Sequence, residues 1–144
     1  MRRALLAIAL LPGIAQAATY LNLGGVTWHS DPRFNGRNPG IGIQHDISVT
    51  DFIAAGIYKN SDFATSSYGV AGRRLISDGV VAAGFFIGVV DGYKYRNHGD
   101  FAPFAAPFVM VDGHRIGVNL VFIPPAQKGG AAALSLQIKI MVHP

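Results

Sequence analysis

The sequence predicts an all-β fold, an eight-stranded antiparallel up-and-down β-barrel that crosses a membrane. Half of the 144 residues are apolar and only 14% are charged, against about a quarter in typical soluble domains. No stretch beyond the N-terminal segment is long and apolar enough for a transmembrane helix, which needs about 20 residues. An apolar composition without a helical span is typical of a membrane barrel. Strand periodicity and the spacing of the connections point to the same fold.

The N-terminus has the pattern of a cleaved signal peptide. Arg2 and Arg3 are followed by an apolar run from Ala4 to Ala15, and Ala15-Gln16-Ala17 has the small-x-small pattern of a signal-peptidase site. We therefore expect a signal peptide over residues 1–17 and a barrel over residues 18–144. An N-terminal membrane anchor is the alternative, although the run is shorter than a bilayer requires. The chain has no cysteine, so we expect barrel closure rather than disulfides to stabilise so small a domain.

Eight segments have the length and composition of strands. They are Tyr20–His29, Gly40–Ile47, Thr50–Lys59, Ser67–Arg74, Val80–Val90, Phe104–Val111, His114–Ile123 and Ala133–Val142.

Alternation of apolar with polar or small residues is clearest in the last two segments. In the seventh, one face carries Ile116, Val118, Leu120 and Phe122. In the eighth, one face carries Leu134, Leu136, Ile138, Ile140 and Val142, with Ser135, Gln137 and Lys139 opposite. Apolar-out and polar-in is the pattern of strands that face lipid. The fifth segment is apolar on both faces, which predicts an apolar contribution to the lumen, either for an acyl chain or filled by the protein's own side chains.

The connections alternate in length. Long ones follow the odd-numbered strands, at residues 30–39, 60–66, 91–103 and 124–132, and short ones follow the even-numbered strands, at residues 48–49, 75–79 and 112–113. Outer-membrane barrels have long external loops and short periplasmic turns, so both termini are expected on the periplasmic side. A secreted soluble barrel or sandwich is the alternative, but it would expose one polar face on every strand.

Two chemically useful residues fall at the same end of this barrel. The first strand ends at His29, and the third is followed by Asn60 and Ser61. An imidazole beside a hydroxyl can act as a general base, and a third group usually orients the imidazole. Asn60 is the candidate for that third role, although it carries no charge. The alternative is a histidine of the interfacial girdle and an unrelated loop serine.

The order of several motifs resembles the lipid A palmitoyltransferase family (PagP-like outer-membrane acyltransferases). The matching segments are Val26-Thr27-Trp28-His29, the glycine-rich stretch from Asn35 to Gly42, Gly56-Ile57-Tyr58-Lys59-Asn60-Ser61, Tyr68-Gly69-Val70-Ala71-Gly72, and the proline-containing stretches beginning at Phe101 and ending at Pro124. The resemblance covers roughly Val26 to Pro124.

The resemblance implies a barrel whose interior holds an acyl chain, and transfer of that chain from a phospholipid to lipid A at the outer leaflet. By position, His29 and Ser61 match the family's catalytic histidine and serine, while Asn60 stands where the family has aspartate. The chain also departs from the family at both ends. The family has an amphipathic helix before the barrel, whereas only two residues separate Ala17 from Tyr20 here. Pro144 stands where many such barrels have a terminal aromatic residue. Asp31 and Asp62 are the candidates to supply the missing carboxylate instead. Pro103 and Pro107 either open a lateral gap for lipid, as the resemblance implies, or mark a strand edge.

Three functions remain open from the sequence. The first is an outer-membrane enzyme that acts on lipid acyl chains, with His29 as base, Ser61 as nucleophile or hydrogen-bond partner, and Asn60 as orienter; a hydrolase in place of a transferase is not excluded. The second is a non-enzymatic barrel of the same fold that binds lipid or has lost activity, and a soluble secreted lipid-binding barrel is a third option. Phospholipid and lipid A are the expected partners of a monomer.

The sequence does not favour other site classes. There is no cluster of basic residues with interleaved aromatic residues, so we expect no nucleic-acid partner. His98 and His114 have no companion at metal-ligand spacing, and we expect no metal or cofactor. Trp28, Tyr58 and Tyr68 are predicted to form an interfacial aromatic belt, or the core if the protein is soluble. His45 and Asp46 close a strand and are assigned to turn chemistry.

Overall fold

A computed structural model describes residues 17–125 and 130–144 of the chain. The predicted signal peptide lies outside these residues except for Ala17. The strands are β1 Thr19–His29, β2 Arg37–Asp46, β3 Asp51–Lys59, β4 Thr65–Ser77, β5 Val81–Val90, β6 Ala102–Asp112, β7 Ile116–Ile123 and β8 Ala133–His143, with a 3₁₀ turn at Asn97–Gly99.

Each strand pairs antiparallel with its neighbours in sequence, and β1 pairs with β8 to close the barrel. The predicted eight-stranded up-and-down barrel is therefore confirmed. β1, β3, β5 and β7 finish at one end of the barrel, here called the long-loop end. The short connections lie at the other, the short-turn end, where β1 also begins and β8 finishes. Among the described residues, no helix is long and apolar enough to cross a membrane.

Several strands are longer than the sequence predicted. β2 begins at Arg37 rather than Gly40, and β4 extends to Ser77, through part of the turn expected at residues 75–79. The turn that remains is tight because Asp78 Oδ1 accepts the backbone N–H groups of Val80 and Val81, at 2.8 and 2.7 Å. These two hydrogen bonds hold the pKa of the Asp78 carboxyl below its ordinary value. Gly79 adopts φ +91°, a conformation that glycine reaches without strain.

The outward face is an apolar band between two charged edges. On β3, Ile53 and Ile57 are about half exposed, and they lie between Asp51 at one end of the strand and Lys59 at the other. Asp51 and Lys59 are about 26 Å apart along the strand, or about 20 Å along the axis of a barrel whose strands tilt by about 40°. The predicted outward faces of β7 and β8 agree with this arrangement. Trp28 also points outward and is 54% exposed.

The lumen at the short-turn end contains two ion pairs. Arg74 donates to both carboxylate oxygens of Asp46, at 2.8 and 2.9 Å, and Lys139 Nζ lies 2.5 Å from Asp112 Oδ1. The assignment of Asp46 to turn chemistry was therefore wrong. Its side chain falls on the inward parity of β2, where a cation from another strand pairs with it.

Of the three residues predicted for the aromatic belt, only Trp28 points outward. Tyr58 and Tyr68 point into the lumen and contact one another edge to face, with ring centroids 5.9 Å apart. Space for them comes from glycines on neighbouring strands, since a Cβ at Gly56 would lie 2.9 Å from the Tyr68 ring. Tyr58 shares the parity of inward-facing Phe52, which explains its direction.

Candidate functional site

The barrel brings His29 and Ser61 together at the long-loop end. The Ser61 Oγ lies 3.3 Å from His29 Nε2, although the residues are 32 apart in sequence. The two positions follow from the topology of the barrel, because β1 and β3 end at the same rim. The His29 ring also packs against Phe34, with ring centroids 5.5 Å apart.

A second partner on the same nitrogen limits what His29 can do to Ser61. The Nε2 atom lies 3.0 Å from the backbone oxygen of Asn35. A carbonyl oxygen only accepts, so this hydrogen bond requires the proton on Nε2. In that tautomer Nε2 is a donor toward Ser61 as well, and the basic lone pair lies on Nδ1. His29 thus cannot take the Ser61 proton through Nε2 unless the contact with Asn35 is released.

Asn60 is next to Ser61 in the chain, but its side chain makes hydrogen bonds to groups other than His29 and Ser61. It is fully buried, and its Nδ2 donates to Ser66 Oγ at 2.9 Å and to the Gly92 oxygen at 3.0 Å. Its Oδ1 accepts the N–H groups of Asp62 and Ala64, both at 2.9 Å. The amide therefore holds the 60–64 loop in shape and ties it to the connection after β5. Within the described part of the chain it has no hydrogen bond to His29.

Asn35 is a site residue that sequence reasoning missed. Besides its carbonyl contact with His29, its N–H donates to the Ser61 oxygen at 2.9 Å and its Nδ2 donates to the Asn60 oxygen at 3.2 Å. The 30–36 loop is thereby tied to both residues after β3. The only signal in the sequence was the position of Asn35 in the glycine-rich stretch before β2.

Neither candidate carboxylate is hydrogen-bonded to the imidazole. Asp31 pairs instead with Arg33, at 2.6 Å, and a side-chain hydrogen bond from Arg33 lowers the pKa of Asp31 to about 2. Asp62 makes no side-chain hydrogen bond to His29 among the residues that the structure describes. The imidazole is therefore oriented by a neutral carbonyl, which stabilises an imidazolium less than a carboxylate would.

A cavity of about 110 Å³ lies in the lumen directly beside Ser61. Its upper wall includes Tyr58 and Tyr93, whose hydroxyl oxygens are 2.9 Å apart. Burial raises the pKa of the Tyr93 phenol above its ordinary value, so this group is neutral at pH 7. Below the cavity, Phe52, Phe108 and Met110 form a buried cluster that separates it from the ion pairs at the short-turn end.

The barrel wall is weakest between β6 and β7 at the level of this cavity. β6 pairs with β5 from Ala102 to Val111, but it pairs with β7 only from Phe108 to Asp112. Pro107 lacks an N–H, and β7 is followed by Pro124 and Pro125, so this stretch has few donors for a ladder. We call the unpaired stretch, β6 residues 104–107 opposite residues 122–125, the β6–β7 gap. Phe104 and Ile123 line the cavity at this gap.

The described residues contain no group of three or more histidine, cysteine, aspartate or glutamate side chains suited to a metal ion. The candidate site therefore consists of an imidazole, a hydroxyl, phenols and amides beside a largely apolar cavity.

Comparisons with known proteins support the fold alone. No protein-family model matches the chain, and no curated protein sequence is significantly similar to it. Two solved structures of de novo designed transmembrane β-barrels are similar in fold. One has a TM-score of 0.61 at 11% identity, covering 89% of this chain and 96% of its own. The other, a solution NMR structure, has a TM-score of 0.62 at 12% identity, covering 90% and 96%.

Proposed function

We propose that this protein is an outer-membrane acyltransferase that draws a phospholipid acyl chain into its lumen and transfers it to lipid A. The observation that carries the proposal is the contact between His29 and Ser61 at the edge of the lumenal cavity, 3.3 Å between Nε2 and Oγ. The resemblance to the lipid A palmitoyltransferase family supplies the donor and the acceptor.

Membrane insertion is supported by the outward face. Exposed isoleucine, valine and phenylalanine side chains cover the middle of the wall, as in Ile43, Phe85 and Ile138, which are 55, 45 and 43% exposed. Their band is close to the roughly 25 Å height of the apolar belt of outer-membrane barrels. A signal peptide at residues 1–17 and long loops at one end fit export to the outer membrane, with the long-loop end outside.

Lateral access is supported by the β6–β7 gap. A phospholipid in the outer leaflet would pass an acyl chain between Phe104 and Ile123 into the cavity, while its headgroup stays at the rim. The unpaired edge of β6 lies within the wall, and prolines reduce the number of N–H groups that would otherwise face lipid without a partner.

The geometry favours direct transfer over a serine nucleophile. With the Nε2 proton held by Asn35, the Nδ1 lone pair of His29 takes the proton of a lipid A hydroxyl. The hydroxyl oxygen then bonds to the acyl carbon, the bond from that carbon to the glycerol oxygen breaks, and the proton passes to the glycerol oxygen. Ser61 in this scheme is a hydrogen-bond partner that helps to position the imidazole and the ester.

Mass spectrometry of lipid A tests the proposal. Lipid A from cells that express the protein should carry one more acyl chain than lipid A from cells without it, and His29→Ala should abolish the difference. Thr19→Ala, a substitution on β1 at the far end of the barrel, is the matched control and should retain it. An unchanged lipid A, or equal acylation by His29→Ala, would refute the assignment.

A non-enzymatic lipid-binding barrel is the second candidate. It is favoured by the commitment of Asn60 to its loop and by the absence, among the described residues, of a carboxylate hydrogen-bonded to His29. In that case the protein would bind acyl chains without changing lipid A. Acyl-chain binding together with an unaltered lipid A profile would identify this function.

A further inference from the structure

We infer that the lumenal cavity is selective for a hydroxylated acyl chain and disfavours a plain saturated chain. The inference rests on the proposed function for its premise that the occupant is an acyl chain. It goes beyond it in naming the chemical class of the chain from the atoms that line the cavity.

The cavity has two unlike walls. Strands β5 to β7 contribute apolar side chains, namely Phe86, Phe104, Phe108, Met110 and Val121. The facing wall and part of β7 contribute side-chain amides, namely Asn22, Asn38, Gln44, Asn119 and Gln137. A saturated chain complements only the first wall, because it has no hydrogen-bonding group to offer the second.

Three of these amides are buried with an oxygen that accepts nothing from the described protein groups. Asn22, Asn38 and Asn119 are 3, 6 and 4% exposed, and the Oδ1 of each has no donor within the described residues. A buried acceptor without a hydrogen-bond partner destabilises the protein. Methylene groups packed against it would not supply the missing donor. A hydroxyl group relieves this cost in either orientation of an amide, because it both donates and accepts.

The test compares decanoic acid with 3-hydroxydecanoic acid, two probes of equal length. Each is titrated into the folded full-length chain in phosphatidylcholine bicelles, and the side-chain amide resonances of the three asparagines are followed by ¹⁵N NMR. The hydroxy acid should bind at least tenfold more tightly and shift these resonances. Replacing Asn22, Asn38 and Asn119 together by leucine should remove the preference, whereas Val118→Leu, which faces outward on β7, should keep it.

Equal binding, tighter binding of decanoic acid, or no binding of either acid would overturn the inference, and none of these comparisons depends on a variant that folds. The outcomes also separate the inference from the proposed function. A preference for the hydroxy acid without any change in lipid A would leave the inference standing and refute the transferase. Transfer of unsubstituted chains as fast as hydroxylated ones would support the transferase and refute the inference.

Discussion

The Nε2 atom of His29 lies 3.0 Å from the carbonyl oxygen of Asn35, the same nitrogen that faces Ser61. This contact places the basic lone pair on Nδ1, so in the proposed mechanism Ser61 is a hydrogen-bond partner instead of a nucleophile. The two residues should therefore differ in their effect on acyl transfer.

Alanine substitution should separate the two roles. His29→Ala removes the general base and should lower the rate of acyl transfer by about 10²–10⁴-fold. Ser61→Ala removes one hydrogen bond and should lower it by about tenfold. Transfer rates measured with purified protein in mixed micelles check this prediction. A loss with Ser61→Ala as large as that with His29→Ala, or a protein adduct heavier by one acyl chain, would restore the serine nucleophile.

Asn60→Asp should destabilise the protein rather than complete a triad. A carboxylate would place oxygen where the amide now donates to the Gly92 oxygen and to Ser66, and the position is fully buried. We expect a loss of about 2–3 kcal/mol or more in the free energy of unfolding. Urea unfolding in lipid vesicles, followed by the fluorescence of Trp28, measures it. The neighbouring Asp62→Asn is the control, and an Asn60→Asp protein as stable as wild type with higher activity would contradict this account.

The buried ion pair of Lys139 and Asp112 should respond unequally to the loss of its two members. Lys139 is fully buried, whereas the Asp112 side chain is 26% exposed and can be hydrated. Asp112→Asn leaves the ammonium without a counter-charge and should cost about 3–5 kcal/mol. Lys139→Met should cost less, because the remaining carboxylate reaches water. Urea unfolding of both variants measures the two losses of unfolding free energy. A larger loss for Lys139→Met than for Asp112→Asn would contradict this prediction.

Closing the β6–β7 gap should block acyl transfer. The chain has no cysteine, so Pro107→Cys with Phe122→Cys gives a clean pair, placed opposite by extending the observed register beyond Phe108 and Val121. Joining the two thiols with a short bifunctional reagent should reduce transfer at least tenfold. The control pair, Val109→Cys with Leu120→Cys, lies where β6 and β7 are already paired and should have no effect. Equal activity of both cross-linked proteins would argue against entry at this gap.

The Asp31–Arg33 pair predicts a local titration at the long-loop end. A lowered carboxyl pKa contributes stability above the ordinary value of 3.8, and that contribution is lost as the pH falls through about 2. Arg33→Ala should return the pKa of Asp31 toward 3.8, as measured by ¹³C NMR of the carboxyl group. Because the pair is exposed, the stability at pH 7 should change little. An Asp31 pKa that stays near 2 without Arg33 would contradict the assignment.

The barrel could be predicted because its signals are local. Alternation in the last two strands and the order of long and short connections depend on residues near one another in sequence, and barrel closure then follows. The meeting of His29 with Ser61 follows from the same topology, since adjacent odd-numbered strands end at one rim. Strand ends were less accurate, because the turn at Gly79 depends on hydrogen bonds to Asp78 that let β4 run to Ser77, further than composition suggested.

The interior could be predicted only in part, because its contacts join distant strands. Arg74 and Asp46 are 28 residues apart, and only the inward parity of both positions hinted that they share the lumen. The partners of Asn60 Nδ2 come from β4 and from the connection after β5, which no pattern near Asn60 identifies. Every residue has a backbone oxygen, so the residue type does not identify that of Asn35 as a partner of His29.

The most direct test of acyl transfer uses purified protein and a phospholipid with a radiolabelled acyl chain. Reconstituted with this donor and lipid A, the wild-type protein should move label into lipid A and release lysophospholipid in equal amount, and His29→Ala should do neither. Label that remains in the phospholipid with the wild-type protein would contradict the enzymatic account and leave a barrel that only binds lipid.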